Sequence, residues 1–336
     1  MRIILGSLLT LAFAVSASAA TLVNGAGSTF AEPVYTKWFG EYQQSEKGAQ
    51  FNYQGIGSGA GIKQLLAGTV DFAGSDVPMN KEESSQAKAP VLHIPIAMGA
   101  VVVTYNLNLT APLKLTGPVL AEIFNGKITK WNDAKIVALN KGVALPDQSI
   151  AVATRSDGSG TTAVFTEYLA KVSPEWVGKD GKTVNWFKGS LGGKGNAGVA
   201  GLVKQAPGAI GYVELVYALE NKLPFAEIQN KAGKYITASA KSVSDAAAGT
   251  TKEAVAQDFK ISITDAKGKE AYPISSFTWM LVYNKMDKEK GAAVKKFAAW
   301  TQGEAAQGLT SKINYAPVPK DLRAAVLKKI EKIETK

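Results

Sequence analysis

Cysteine is absent from the 336 residues, and histidine occurs once, at His93. The first absence excludes disulfides, thiolate metal sites and a lipidated N-terminal cysteine. With a single histidine as well, a zinc enzyme is a poor fit, because such sites are built mainly from Cys and His. Any Ser-His-Asp triad would have to use His93, which lies inside the apolar run 93–105 and reads as a satisfied buried residue. The elbow pattern G-x-S-x-G does not surround Ser58, Ser75 or Ser159. Residues 189–195 hold Gly-Gly-Lys, but the spacing is one residue short of a Walker A loop, and Gly195 stands where Ser or Thr is needed. Beyond the N-terminus no apolar run approaches the roughly 20 residues of a membrane span. No nucleic-acid module is recognisable either, despite a net charge of +10, which sits largely in helix-like runs such as 285–290 and 328–332. No catalytic residue, metal, cofactor or nucleic-acid partner is therefore expected.

The start of the chain reads as a secretory signal. Arg2 supplies the charge, residues 3–15 the apolar region and Ala17-Ser18-Ala19 the small-residue cleavage pattern. Residues 1–19 are expected to be removed, with cleavage near Ala19 or Ala20 and an exported mature protein. The length, with 46% apolar residues, suits about two domains.

After the signal, strand-like and helix-like segments alternate as in an α/β protein. Strands are predicted at 22–23, 51–54, 70–74, 93–105, 150–154 and 275–283. Helices are predicted after residue 30 with Val34, Trp38 and Tyr42 on one face, at 62–67, after residue 160, at 288–302 and at 320–332. Trp38 and Trp131 read as core. The apolar runs 93–105 and 275–283 look like a chain leaving one domain and returning to it. Residues 20–104 with 277–336 are thus expected to form a discontinuous domain, and 105–276 an inserted one, with a ligand cleft between them.

Three loops share one design, with hydroxyl residues and glycine at the start of a helix: Ser28-Thr29-Phe30, Ser58-Gly59 and Ser159-Gly160-Thr161. Each serine or threonine, taken alone, reads as a helix cap. Converging, they would surround one tetrahedral oxyanion with N–H and hydroxyl donors at little net charge. Arg155 adds a planar fork, and Asp157, two residues on, is either a turn residue or the carboxylate that steadies it. Asp76 is either a cap or an acceptor that selects a protonated oxyanion. An ionised carboxylate only accepts hydrogen bonds, so sulfate, with no proton to offer, would be refused.

Six motifs in order carry a resemblance along nearly the whole mature chain. They are residues 25–30 (Gly-Ala-Gly-Ser-Thr-Phe), 53–58 (Tyr-Gln-Gly-Ile-Gly-Ser), 70–76 (Val-Asp-Phe through Ser-Asp), 157–161 (Asp-Gly-Ser-Gly-Thr), 192–196 (Gly-Gly-Lys-Gly-Asn) and 207–214 (Pro-Gly-Ala-Ile-Gly-Tyr-Val-Glu). Together they resemble the periplasmic phosphate-binding proteins of high-affinity phosphate ABC transporters. The resemblance implies a two-domain, type II-like periplasmic-binding-protein fold, with two mixed sheets flanked by helices and joined by a two-stranded hinge. It implies that Ser28, Thr29, the Phe30 N–H, Ser58, Ser159, Gly160 and Thr161 donate to one phosphate, hydrogen phosphate or dihydrogen phosphate. Arg155, held by Asp157, would be the cation, and Asp76 the acceptor of the phosphate proton. A periplasmic monomer that docks on a membrane permease follows from the same likeness. Glu32 departs from the family pattern, which has an uncharged residue there, and would oppose phosphate unless turned away from it. Outside the resemblance, a secreted phosphate-ester hydrolase or a surface interaction protein on the same scaffold are the other readings.

Overall fold

The structure, a computed structural model, describes residues 20–336; the signal segment and its cleavage point lie outside the described residues. Eight strands form one mixed sheet: β1 (Thr21–Gly27), β2 (Ala49–Gly55), β3 (Phe72–Ser75), β4 (Val91–Tyr105), β5 (Ala151–Arg155), β6 (Leu191–Gly193), β7 (Ala209–Glu214) and β8 (Ser275–Tyr283). Helices around it include α1 (Glu32–Ser45), α2 (Ser58–Ala67), α3 (Lys81–Ser85), α4 (Gly160–Val172), α5 (Gly195–Gln205), α6 (Leu215–Glu220), α7 (Lys288–Thr301), α8 (Glu304–Lys312) and α9 (Lys320–Ile330).

The strand order is β2-β1-β3-β8-β4-β7-β5-β6. The 15-residue β4 serves both halves of this sheet, because its residues 91–100 pair antiparallel with β8 and its residues 101–105 pair antiparallel with β7. Nearly all of β4 is buried, as its largely apolar sequence requires of a strand covered on both faces. The expected two mixed half-sheets are present, joined through this shared strand. In the first half β1 is parallel to β2 and β3; in the second, β5 is parallel to β6 and β7. The parallel strands of the two halves run in opposite directions, so their carboxyl ends, and the loops into α1, α2, α4 and α5, face each other at the inner edge of each half, beside the middle of β4. Open α/β sheets bind ligands at that edge.

Helix packing fixes the position of those loops. Val34, Tyr35, Trp38, Phe39 and Tyr42 form the buried face of α1, at the three-to-four-residue spacing of a helix stripe. Trp38 meets Phe297 and Trp300 of α7 edge-on at 6.5 and 6.2 Å, and its indole N–H donates to the Ala306 carbonyl at 2.9 Å. In the second half Trp131 is fully buried and donates to the Gly208 carbonyl, while Phe165 of α4 stacks on Tyr212 of β7 at 4.4 Å. Helix α8 was not anticipated. Only Ala306, Gln307 and Thr310 are buried in it, too few apolar positions to make a periodic signal. Among the described residues, no helix is long and apolar enough to cross a membrane.

Candidate anion site

The site grows from the turn between β1 and α1. Ser28 N–H donates to the Gly74 carbonyl at the end of β3, which brings the first loop against the segment holding Asp76. The Ser28 hydroxyl gives its proton to the Asp76 carboxylate, at 2.7 and 2.5 Å from the two oxygens, and its oxygen accepts the Phe30 N–H at 2.9 Å. Thr278, on β8, donates a second hydroxyl to Asp76 at 2.9 Å. Asp76 is fully buried, and that burial raises its pKa from 3.8 to about 6, against the lowering pull of Ser28, Thr278, Arg155 and Ser58.

The second and third loops meet directly. Gly160, the first residue of α4, donates its N–H to Ser58 Oγ at 3.1 Å, and Gly59 N–H donates to the Gly158 carbonyl at 2.9 Å. A side chain at Gly160 has no room: a Cβ there would fall 2.4 Å from Ser58 Oγ and 2.5 Å from an Asp76 oxygen. Gly57 holds φ at +90°, a left-handed value that favours glycine, and a Cβ on it would run into Asp157. Ser159 caps α4 by accepting the Thr162 N–H at 3.0 Å, and its own N–H is held by the Lys182 carbonyl.

Asn196, at the start of α5, ties the halves together. Its Nδ2 donates to Thr29 Oγ1 at 2.8 Å and to Thr161 Oγ1 at 3.2 Å, and its backbone N–H donates to the same Thr29 oxygen. These bonds decide where the hydroxyl protons go. An oxygen that is already accepting still has one proton to give; the Ser58 hydroxyl turns its own toward Asp76, and Thr29, Thr161 and Ser159 each retain one for the space between the loops. Arg155 adds a charged one. Its Nε and Nη2 fork onto Asp157 at 2.8 and 2.5 Å, while Nη1 is buried with no hydrogen-bond partner. Burial works against ionisation of Asp157, but the bonds and charge of Arg155 and the Gly195 N–H outweigh it and hold the carboxyl below its usual range. The Arg155–Asp157 pair is neutral, so what the site offers an anion is oriented dipoles, as at other helix N-termini, and the unpaired Nη1 group of the guanidinium with its two N–H donors.

The three loops, Asp76, Arg155 and Asp157 therefore come together at one buried point. Thr278, Asn196 and Tyr217 escaped sequence reasoning. Thr278 sits in a strand read as plain core, where the polar pair Ser276 and Thr278 on one face was the available signal. Asn196 belonged to a motif with no assigned role. Tyr217 of α6 donates to the Thr29 carbonyl at 2.6 Å and carried no local signal. Glu32 is turned to the rim, where its carboxylate accepts the Gly55 N–H at 3.1 Å and lies 3.4 Å from the Tyr217 hydroxyl. His93 is committed elsewhere: Nε2 accepts the Met79 N–H, Nδ1 faces the Val91 carbonyl, and burial lowers its pKa to about 3. Among the described residues no group of three or more His, Asp or Glu is arranged to hold a metal.

Two α/β halves sharing β4, with glycine- and hydroxyl-rich loops where they meet, define a two-domain periplasmic-binding-protein fold. A family model described as a PBP superfamily domain matches residues 14–305. The phosphate-binding protein PstS of Xylella fastidiosa (strain 9a5c) is 44% identical over 305 residues, covering 89% of this chain and 82% of that protein. The PstS of Pasteurella multocida (strain Pm70) is 43% identical over 329 residues, covering 96% and 93%. The chain belongs to the PstS family of phosphate-binding proteins. Among solved structures, a high-affinity periplasmic phosphate-binding protein bound with phosphate superposes with a TM-score of 0.74 at 21% identity, covering 90% of this chain and 92% of its own. An ABC-type phosphate transport receptor from Vibrio cholerae superposes with a TM-score of 0.58 at 20% identity, covering 88% and 100%. These two share the fold.

Proposed function

We propose that this protein binds inorganic phosphate between its two domains and delivers it to the membrane permease of an ABC transporter. The observation that carries the reading is the buried, unpartnered Nη1 of Arg155 set among hydroxyls whose oxygens are already engaged, with one buried carboxylate opposite. Such a site offers many donors and a single acceptor. Hydrogen phosphate or dihydrogen phosphate matches it, with unprotonated oxygens for the donors and a P–OH for Asp76. In this reading Ser28, Thr29, the Phe30 N–H, Ser58, Ser159, Gly160, Thr161 and Arg155 are the donors, and Asp157 positions Arg155. Binding of the anion breaks the Ser28–Asp76 contact, turns the Ser28 proton toward it, and draws the Phe30 and Gly160 N–H groups away from the Ser28 and Ser58 oxygens to which they donate in this structure. Residues 20–104 with 277–336 and residues 105–276 are the two domains, which move about the crossings of β4 and β8. The mature protein works in the periplasm, after cleavage near Ala19 or Ala20, as a monomer with no chemistry of its own. The relatives named phosphate-binding protein support this reading.

Calorimetry of the mature protein tests it, with phosphate and sulfate titrated into wild type, Asp76→Asn and Arg155→Ala. Phosphate is expected to bind and sulfate to give no heat. Arg155→Ala is expected to weaken phosphate by tenfold or more, in line with about 1.5–3 kcal/mol for a charged hydrogen bond. Absence of phosphate heat in wild type overturns the function, and equal binding of sulfate overturns the role of Asp76. Release of phosphate from an ester substrate would favour the hydrolase reading instead.

A further inference from the structure

Glu214 ends β7 opposite Val101 of β4, where the two halves of the sheet meet, and it is fully buried. Its backbone N–H donates to Asn196 Oδ1 at 2.9 Å, so it steadies the side chain that holds Thr29 and Thr161. Its Oε2 accepts the Val216 N–H at 2.7 Å and caps α6, whereas its Oε1 is buried with no hydrogen-bond partner. No Lys, Arg or His among the described residues forms an ion pair with it. The titratable groups facing it are Tyr315 from the segment after α8, Tyr217 from α6 and Asp76 from the segment after β3. From β4 it meets Gly99, where a Cβ would fall 3.3 Å from Oε1 and 2.6 Å from the Phe30 ring. Burial is the largest influence on this carboxyl and drives its pKa up, the Asp76 charge adds to the rise, and the Val216 and Leu215 N–H groups and Tyr315 oppose it without overcoming it.

The proton count at Tyr315 decides the state of Glu214. A phenol has one proton, and Tyr315 donates its proton to the Phe30 carbonyl at 2.6 Å. What Tyr315 turns toward the glutamate is therefore oxygen lone pairs. A carboxylate facing them would be an acceptor against an acceptor in a dry site, a costly arrangement. A carboxylic acid would complete a chain.

We propose that Glu214 is a positioning residue held as a neutral carboxylic acid, which donates to Tyr315 so that Tyr315 fixes the Phe30 carbonyl and, through it, the backbone of the Ser28–Thr29–Phe30 anion loop. The chain runs Glu214 to Tyr315 to Phe30, from the second half of the molecule to the first. Through its N–H to Asn196, the same residue braces the hydroxyls of the opposite wall. It rests on the anion-binding reading only for its consequence, not for the protonation state of Glu214.

The test uses wild type, Glu214→Gln, Glu214→Leu and Tyr315→Phe, with phosphate calorimetry and ligand-free denaturant unfolding from pH 5 to 8. Glutamine is the isostere of the neutral acid and donates from its amide. It is expected to bind phosphate within about twofold of wild type. Relative to Glu214→Gln, the unfolding equilibrium constant of wild type is expected to rise about tenfold per pH unit, because only the unfolded glutamate releases its proton there. Asp76 titrates in both proteins and cancels. Glu214→Leu and Tyr315→Phe are expected to weaken phosphate about tenfold or more, and the double variant no further than either alone. Parallel pH curves for wild type and Glu214→Gln would show an ionised Glu214 and overturn the proposal, even if Glu214→Leu fails to fold. Unchanged affinity in Tyr315→Phe would overturn the positioning role. If wild type binds no phosphate, the function above fails while the pH comparison still decides the state of Glu214.

Discussion

Burial of Asp76, with the Ser28, Thr278 and Ser58 hydroxyls as its donors and no backbone N–H bonded to it, lifts its carboxyl to about 6. That sets two pH dependences. An acid whose folded pKa lies above its unfolded value near 4 destabilises the fold when it ionises. Stability from this group is complete below pH ~4, declines as pH rises to about 6, and is flat above that. Denaturant unfolding of ligand-free wild type should show this decline relative to Asp76→Asn, which has no such group. Selectivity moves the other way. Under the proposed role of Asp76, the ionised carboxylate should refuse sulfate above pH ~6, and the protonated form should donate to it below. The ratio of phosphate to sulfate affinity should therefore fall as pH drops through about 6, measured by competition calorimetry. Asp76 and Arg155 were both legible in the sequence as charged groups beside glycine and hydroxyl loops. The partners of Asp76 on β8 were not, because Thr278 lies 202 residues away.

At the scale of elements, the site depends on helix N-termini brought to touching distance by parallel strands. Gly160 is where α4 comes closest to the opposite wall, with Ser58 and Asp76 both within reach of a methyl group placed on it. Gly160→Ala introduces overpacking of about 1–3 kcal/mol, which the proposed opening about β4 and β8 would relieve when no ligand holds the halves together. Phosphate should bind roughly ten- to hundredfold more weakly, while thermal unfolding without phosphate changes much less. A large fall in ligand-free stability with unchanged affinity would contradict this. The strand at 275–283 and the helix faces of α1, α7 and α9 could be read from periodicity, since burial imposes it. Helix α8 could not, because its buried positions are alanine, glutamine and threonine.

For the whole molecule, contacts between distant segments hold the two halves together. Across the junction Asn196 reaches Thr29, Tyr217 reaches the Thr29 carbonyl, and Lys182 pairs with Glu83 of α3 at 2.7 Å. The ion pair is mostly shielded, with 14% and 17% side-chain exposure, and Lys182 also holds Ser159 through its carbonyl. Removing it by Lys182→Met or Glu83→Gln should weaken phosphate about two- to fivefold, near the 0.2–1 kcal/mol of a partly screened pair. The double variant should lose no more than either single one. The same effect should shrink in high salt, where such pairs are screened; equal losses at low and high salt would count against a latch.

The sequence by itself determined the local parts: which segments are strands, which loops open helices, where glycine lets a ligand approach, and which two charges stand beside them. These follow from backbone propensity and from the unpaired N–H groups of a helix start, which act over a few residues. Only the tertiary structure decided which hydroxyl oxygens are already occupied, that Arg155 keeps its Nη1 group free, that Glu32 is bound to the Gly55 N–H, and that Glu214 Oε1 is buried without a partner. Those depend on how β4 registers against β8 and β7, and on side chains that meet only after chain segments far apart in sequence have packed.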